Sequence, residues 1–302
     1  MGARFTVKNG NVEQDVPGPL FLHLPESGQS KHLHLYGVAE QDMGNLVVAP
    51  VDKSVVQVSK VVRAEMAKKV TDPNSVWGFD LTPLKVGNTD LQAKVKGAVV
   101  AILKVSVIQA LELPPATTDE GMMARLFLAE TASPERKGWD VAAAKKSMQW
   151  MRLVLKNRLD NDPAQFNASG AKTRQDIVRG SGQFRGFGIY PTIDTDVNKH
   201  IQEALDGAND DNNLAKQAQD IAFVNAALEV AKATGEILDP CGTDSFLSGW
   251  RTVGHGGTGD DQVEFQVLMD NQFFQLKRKK AAGSQGNAPS SGQGSDSGGT
   301  KK

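Results

Sequence analysis

Residues 121–130 read GMMARLFLAE. Met123, Leu126 and Phe127 fall at helical spacing, and Thr118-Asp119 just upstream offers an N-cap. The run ends on a glutamate, Glu130, preceded by Phe127, Leu128 and Ala129. A carboxyl group delivered by an apolar helix is desolvated, which favours its neutral form and raises its pKa. A neutral carboxylic acid near pH 7 is a proton donor. The bland alternative is a glutamate that closes the helix at the surface, so the meaning of this stretch depends on what the chain places around it.

Downstream, Val141, Ala144, Met148, Met151 and Leu155 mark a longer helix over 140–159 that ends in Asn157-Arg158. Those two polar groups either hold a substrate amide or satisfy neighbouring backbone carbonyls. The segment DIVRGSGQFRGFGIYP at 176–191 mixes four glycines with two phenylalanines and a tyrosine. Glycines let backbone approach a ligand, and aromatic rings stack on apolar faces of sugars, so this reads as a cleft-lining loop. Val197, Ile201 and Leu205 mark a helix closed by Gly207, and Leu214, Ala218, Ile221, Leu228 and Ala231 another closed by Gly235. An irregular segment follows, then a strand-like VEFQVLMDNQFFQLK at 263–277 and a Gly/Ser-rich tail at 281–302 that is expected to be disordered. GHGGTGDD at 254–261 lacks the Lys-Ser/Thr ending of a phosphate loop and reads as a flexible loop.

Upstream, the first 50 residues read as short strands: Arg4–Val7 with a turn at Asn9-Gly10, then Leu20, Leu22, Leu24 and Leu33, Leu35 in alternation. His32 and His34 share one face of a strand, but with no third ligand nearby they read as surface histidines and no metal site is expected. Val55, Val58, Val62 and Met66 suggest a helix over 54–70 with Asp52 or Ser54 as cap. A second helix is expected over 90–113 behind Thr89, stopped by Pro114-Pro115. Residues 1–115 carry no evident chemistry and read as a docking, delivery or scaffold region.

The net charge of −1 over 302 residues gives no reason to expect nucleic acid as a partner. Charge is uneven, however: Lys plus Arg stand 12 to 6 against Asp plus Glu over residues 125–185, and 5 to 15 over 186–277. One cysteine, Cys241, excludes an internal disulfide and a Cys-built zinc site. The opening MGARFTVKNGNVEQD lacks the apolar core of a secretory signal, and Lys104 interrupts the most apolar segment, so neither a signal peptide nor a membrane span is expected.

Residues 119 to about 277 resemble the SleB-type cell-wall hydrolases, the spore-cortex-lytic family. The parallels are the apolar helix ending in Ala129-Glu130, the helix ending in Asn157-Arg158, Ile177-Val178 followed by Gln183-Phe184, a helix closing on Gly207, and an N-x-F-F ending at 271–274. The chain departs from the family by an insertion of roughly two helical turns between Glu130 and Asn157, and by Asn271-Gln272 where a histidine is expected. The resemblance implies an α+β protein: a mainly helical lysozyme-like catalytic domain over 116–280, behind a small N-terminal strand-and-helix region over 1–115.

It also implies a cofactor-free glycosidase, a muramidase or lytic transglycosylase, that cleaves the β-1,4 bond between N-acetylmuramic acid and N-acetylglucosamine in peptidoglycan. Glu130 would be the general acid. Asn157, Gln183 and Tyr190 would contact the substrate, with Phe184 for support or stacking, and Glu135, Asp140 and Asp194 stay open as bases. Such an enzyme would be made in the cytoplasm and reach the wall of a target cell by a signal-independent route. That route could be as an interbacterial toxin loaded by a secretion apparatus and held by an immunity protein, or as a phage lysin. Two other classes stay open: a Cys-His amidase or peptidase using Cys241 and His255, and a non-catalytic phage or secretion-apparatus protein.

Overall fold

The computed structural model describes residues 2–9, 12–16, 18–24, 30–65, 75–180, 184–210, 213–254 and 262–278. The tail, Gln183, His255 and most of the 254–261 loop lie outside them. No described residue before 119 is in an α-helix. The first part of the chain instead builds two sheets. One has the order β2 (Val12–Asp15), β1 (Arg4–Asn9), β4 (Lys31–Tyr36), β8 (Val76–Pro83), β6 (Val56–Val58), with β7 (Val62–Glu65) also paired to β8, and it is antiparallel throughout. The other has the order β3 (Leu20–His23), β10 (Ala98–Ile108), β9 (Gly87–Val95), β5 (Leu46–Pro50), with β3 parallel to β10.

Alternation assigns the faces. Leu33, Leu35, Trp77, Phe79 and Leu81 of the first sheet meet Leu20, Leu22, Leu91, Leu103, Val105 and Val107 of the second in one core. Trp77 is fully buried, and its indole N–H donates to the Val38 carbonyl at 2.9 Å.

Where the two expected N-terminal helices fall on described residues they are strands and turns instead; residues 66–70 of the first lie outside the described residues. Over 90–113, Lys96-Gly97 takes positive φ at both positions, 52° and 82°, which turns the chain back as a hairpin. The β-branched residues Val99, Val100, Ile102, Val105, Val107 and Ile108 suit the pleat that follows. Around residue 52, Asp52 accepts from the Ser54 N–H and hydroxyl, a turn rather than a helix cap.

The second part of the chain carries the helices: α1 (Asp119–Glu130), α2 (Val141–Asp160), α3 (Arg174–Arg179), α4 (Thr195–Asn209) and α5 (Leu214–Lys232). They pack with a three-stranded antiparallel sheet of order β11 (Ser245–Thr252), β13 (Asn271–Lys277), β12 (Val263–Leu268). Each helix start is capped by a side chain: Thr118, Asp140, Thr173, Asp194 and Asn213 each accept a backbone N–H of the first turn. Gly121 is required in α1 because a Cβ there would lie 2.1 Å from the Pro115 carbonyl oxygen.

The expected mainly helical lysozyme-like fold with a small N-terminal region is thus overturned. The described residues are 33% helix and 32% strand in three sheets, and those of the N-terminal region form a unit of ten strands. The physical reason is the share of β-branched residues in alternation before residue 110, which a short window of apolar residues does not distinguish from a helical stripe.

The two parts meet through apolar side chains. Phe21, Ile108, Leu111 and Leu113 pack on the helical core, and Leu214 at the start of α5 joins the core between the sheets. Asn209 fixes the connecting segment by accepting from the Leu111 N–H at 2.8 Å and donating to its carbonyl at 3.0 Å. No described helix is long and apolar enough to cross a membrane.

Candidate active site

Glu130 is the last residue of α1, separated by half-buried Ala129 from the fully buried Leu126, Phe127 and Leu128. The residue keeps some exposure, yet its carboxyl group is crowded enough that desolvation dominates. Burial pushes its pKa above the ordinary glutamate value, and a hydrogen bond from the Trp250 indole to Oε2 at 3.3 Å pulls weakly the other way. The helix end is held from behind. Asn271, buried at the start of β13, donates through Nδ2 to the Glu130 carbonyl at 3.0 Å and to the Ser147 hydroxyl of α2 at 3.3 Å. One amide therefore ties α1, α2 and the sheet together at the residue that carries the acid.

From Glu130 an unbroken row of contacts runs across β11. Trp250 lies 5.0 Å from Phe184 ring to ring, and the Arg158 guanidinium sits 5.5 Å over Phe184 and 5.0 Å over Phe166. Arg158 Nε donates to the Ser248 carbonyl at 2.7 Å. Burial lowers the Arg158 pKa to about 10, which still leaves it charged at neutral pH. Gly249 makes room for this arrangement, because a Cβ there would lie 2.9 Å from Arg158 Nη2. The pairing of β11 with β13 shifts register between Leu247 and Gly249, the irregularity that lets the strand pass the guanidinium.

Of the residues picked from sequence, Glu130 and Phe184 are brought into this row. Asn157 is not: its Nδ2 is spent on Asp239 at 2.8 Å and the Leu247 carbonyl at 2.9 Å, the backbone-satisfying role. Tyr190 is buried, stacks on Phe187 at 5.9 Å, and donates its hydroxyl to the Ala116 carbonyl. Gln183 lies outside the described residues.

The three candidate bases are placed elsewhere. Asp140 and Asp194 cap α2 and α4, and Glu135 pairs with Lys216 at 2.6 Å. Trp250 and Gly249 were not singled out in the sequence, and Asn271 stood out only as part of the N-x-F-F ending and as a departure from the family pattern. The Gly-Trp pair inside SFLSGWRT was the available signal, since a glycine in a strand marks a bulge or a close approach.

The open alternatives have structural counterparts too. The Cys241 thiol is pushed up to about 12 by burial and by Asp239, so it is not a thiolate near neutral pH, and His255 lies outside the described residues. His32 and His34 do share a face, with rings 5.0 Å apart, but each is engaged by a carboxylate, His32 by Asp80 and His34 by Glu13. Among the described residues no cluster of three His, Cys, Asp or Glu could hold a metal ion.

No family model matches the chain, and no curated protein matches it. Among solved structures, the chain is similar to one described as "Crystal structure of the S-layer protein rSbsC(31-844)", at 13% identity and a TM-score of 0.23. The similarity covers 37% of this chain and 17% of that one, and at that score it carries no argument.

Proposed function

We propose that the protein is a peptidoglycan-cleaving glycosidase in which Glu130 is the general acid. The observation that carries the reading is a desolvated carboxyl group, held above its ordinary pKa, in hydrogen-bond contact with a tryptophan next to a second aromatic ring. The lysozyme-like fold that the SleB-type resemblance implied no longer supports it, so the reading rests on this geometry and on the motifs alone.

In this reading the neutral Glu130 carboxyl gives its proton to the glycosidic oxygen as the bond to the muramic acid C1 breaks. The carboxylate that remains accepts the Trp250 N–H, so the charge is not left unpartnered in a buried place. It then takes a proton from the attacking hydroxyl. If that hydroxyl is the muramic acid's own C6–OH, the product is an anhydro sugar and no second carboxylate is used. That variant suits a site in which Asp140, Asp194 and Glu135 are engaged in caps and an ion pair. Half-buried Trp250 would offer an apolar face to a sugar ring, with buried Phe184 as its support from behind.

Purified protein incubated with intact peptidoglycan should release muropeptides with uncut stem peptides, and mass spectrometry separates anhydro from hydrated ends. Free stem peptides beside intact glycan would sink the reading in favour of an amidase or peptidase. No product at any enzyme concentration would leave a non-catalytic protein.

A further inference from the structure

A cavity of about 570 Å³ opens between α4, α5 and the segment after α1, and five carboxylates line it: Glu135, Glu203, Asp206, Asp210 and Asp220, against one ammonium, that of Lys216. Four of these, Glu203, Asp206, Asp210 and Asp220, come from the acidic stretch 186–277, and Glu135 joins them from the segment after α1. Two features at its floor are costly for a merely structural surface. Asp220 is 2% exposed, and its Oδ2 is buried without a hydrogen-bond partner. Gly207 sits in the last turn of α4, and a Cβ at that position would come within 2.2 Å of Asp220 Oδ2. The glycine does not close the helix, which continues to Asn209; it makes room for the carboxylate. A helix that gives up a side chain to admit an acid whose Oδ2 is buried without a hydrogen-bond partner points to an acid that serves something outside the chain.

We propose that this cavity binds an organic cation, a primary ammonium carried by a molecule of peptide size, with Asp220 as the counter-ion at the floor and Glu203 and Asp206 at the rim. The choice of ammonium follows from the way the acids are spread. A compact charge with three donors can address several separate carboxylates, whereas a guanidinium fork matches one carboxylate side-on. A bare metal ion is disfavoured because the described residues hold no three ligands positioned for one. The resident ammonium shows what the site prefers: Lys216 is held by Glu135 at 2.6 Å, and Asp220 and Glu203 further favour its charged form. The volume, within the range of small-molecule sites, exceeds what an ion alone fills. The proposal does not depend on the glycosidase reading.

Among the described residues, the charged and titratable groups that line the cavity with Asp220 are Glu135 after α1, His200, Glu203 and Asp206 on α4, Asp210, and Lys216 on α5. Desolvation raises the Asp220 pKa to about 6. Cation binding should therefore strengthen as pH rises through about 6 and weaken below it.

The test is calorimetric titration of the full chain at low salt with Nα-acetyl-lysine methylamide, its uncharged norleucine analogue, cadaverine and calcium chloride. The lysine probe should bind saturably with a Kd of about 1 mM or tighter, and the norleucine analogue should not. Asp220→Asn should weaken the lysine probe at least tenfold. Should that variant fail to fold, the rim pair Glu203→Gln/Asp206→Asn, both exposed, decides: a several-fold loss with an unchanged melt is expected. Cadaverine binding as well as the lysine probe would support the site with a free amine as its source; tighter binding of the lysine probe would support a peptide-borne one. Equal binding of the norleucine analogue, binding of calcium alone, or full affinity in the folded variants would overturn the proposal.

Discussion

The sheet half and the helical half of this protein bury different things. Among the described residues before 110, the buried polar groups are Thr6, His23, His34, Ser75 and Thr89, set in a core of leucine, valine, phenylalanine and one tryptophan. The helical half buries Arg152, Asn157, Arg158, Asp220 and Asn271, and it desolvates the carboxyl of Glu130. Taking charged groups out of water is expensive, and such groups concentrate where a protein uses them. The first half is packed around apolar side chains, and the second is where charged groups are taken out of water, the half to which the proposed function assigns the chemistry.

Substitutions in the two halves should therefore separate stability from activity. The largest loss of stability is expected in the sheets: Trp77→Ala removes a fully buried ring and its hydrogen bond to Val38, at a cost of about 3–5 kcal/mol. Denaturant unfolding would show it, while wall release per folded molecule should stay at wild-type level. A smaller loss with the opposite signature is expected at Asn271→Ala. The Glu130 carbonyl and the Ser147 hydroxyl lose a donor, for about 1–3 kcal/mol, and misplacement of the acid should lower wall release on the order of tenfold.

Asp220→Asn should change stability the other way. The Asp220 pKa is raised from 3.8 to about 6 in the folded chain, so the protonated form adds stability that is complete below about 3.8 and gone as pH rises through about 6. Wild type and variant should melt alike near pH 4, and the variant should be the more stable above pH 6, by up to about 2–3 kcal/mol. Equal melting at both pH values would show that the carboxylate is satisfied by a partner in solution. The smallest effect is expected for Cys241→Ala, which should retain lytic activity because its thiol is pushed up to about 12; loss of lysis there would revive the Cys-His alternative.

Legibility differed between the halves as well. In the helical half α1, α2, α4 and α5 stand where apolar spacing and caps placed them, with Thr118 capping α1. In the sheet half the helices expected over 54–70 and 90–113 are overturned at their described residues, 54–65 and 90–113. Val55, Val58 and Val62 satisfy a 3.6-residue period by coincidence, and the hairpin depends on the positive φ of Lys96 and Gly97, which periodicity does not register. At the site, Glu130 was legible because its apolar neighbours are adjacent in sequence. Trp250 and Asn271 were not, because they reach it from 120 and 141 residues away through sheet pairing. Gly207 was read as a stop signal, whereas its reason is Asp220 on the neighbouring helix.

The central claim is that Glu130, whose pKa is raised by burial, does acid chemistry, and Glu130→Gln tests it most directly. The amide keeps size and hydrogen bonding and removes the transferable proton. Because the Glu130 pKa is raised in the folded state, its protonated form adds stability below about 4.5 that is lost as pH rises through the folded value. The variant should therefore melt at or above wild type at pH 7. Release of dye-labelled wall by the same preparation should fall by roughly 10²- to 10⁴-fold. Near-normal release with an unchanged melt would contradict the account, placing the acid elsewhere and leaving α1 as core alone.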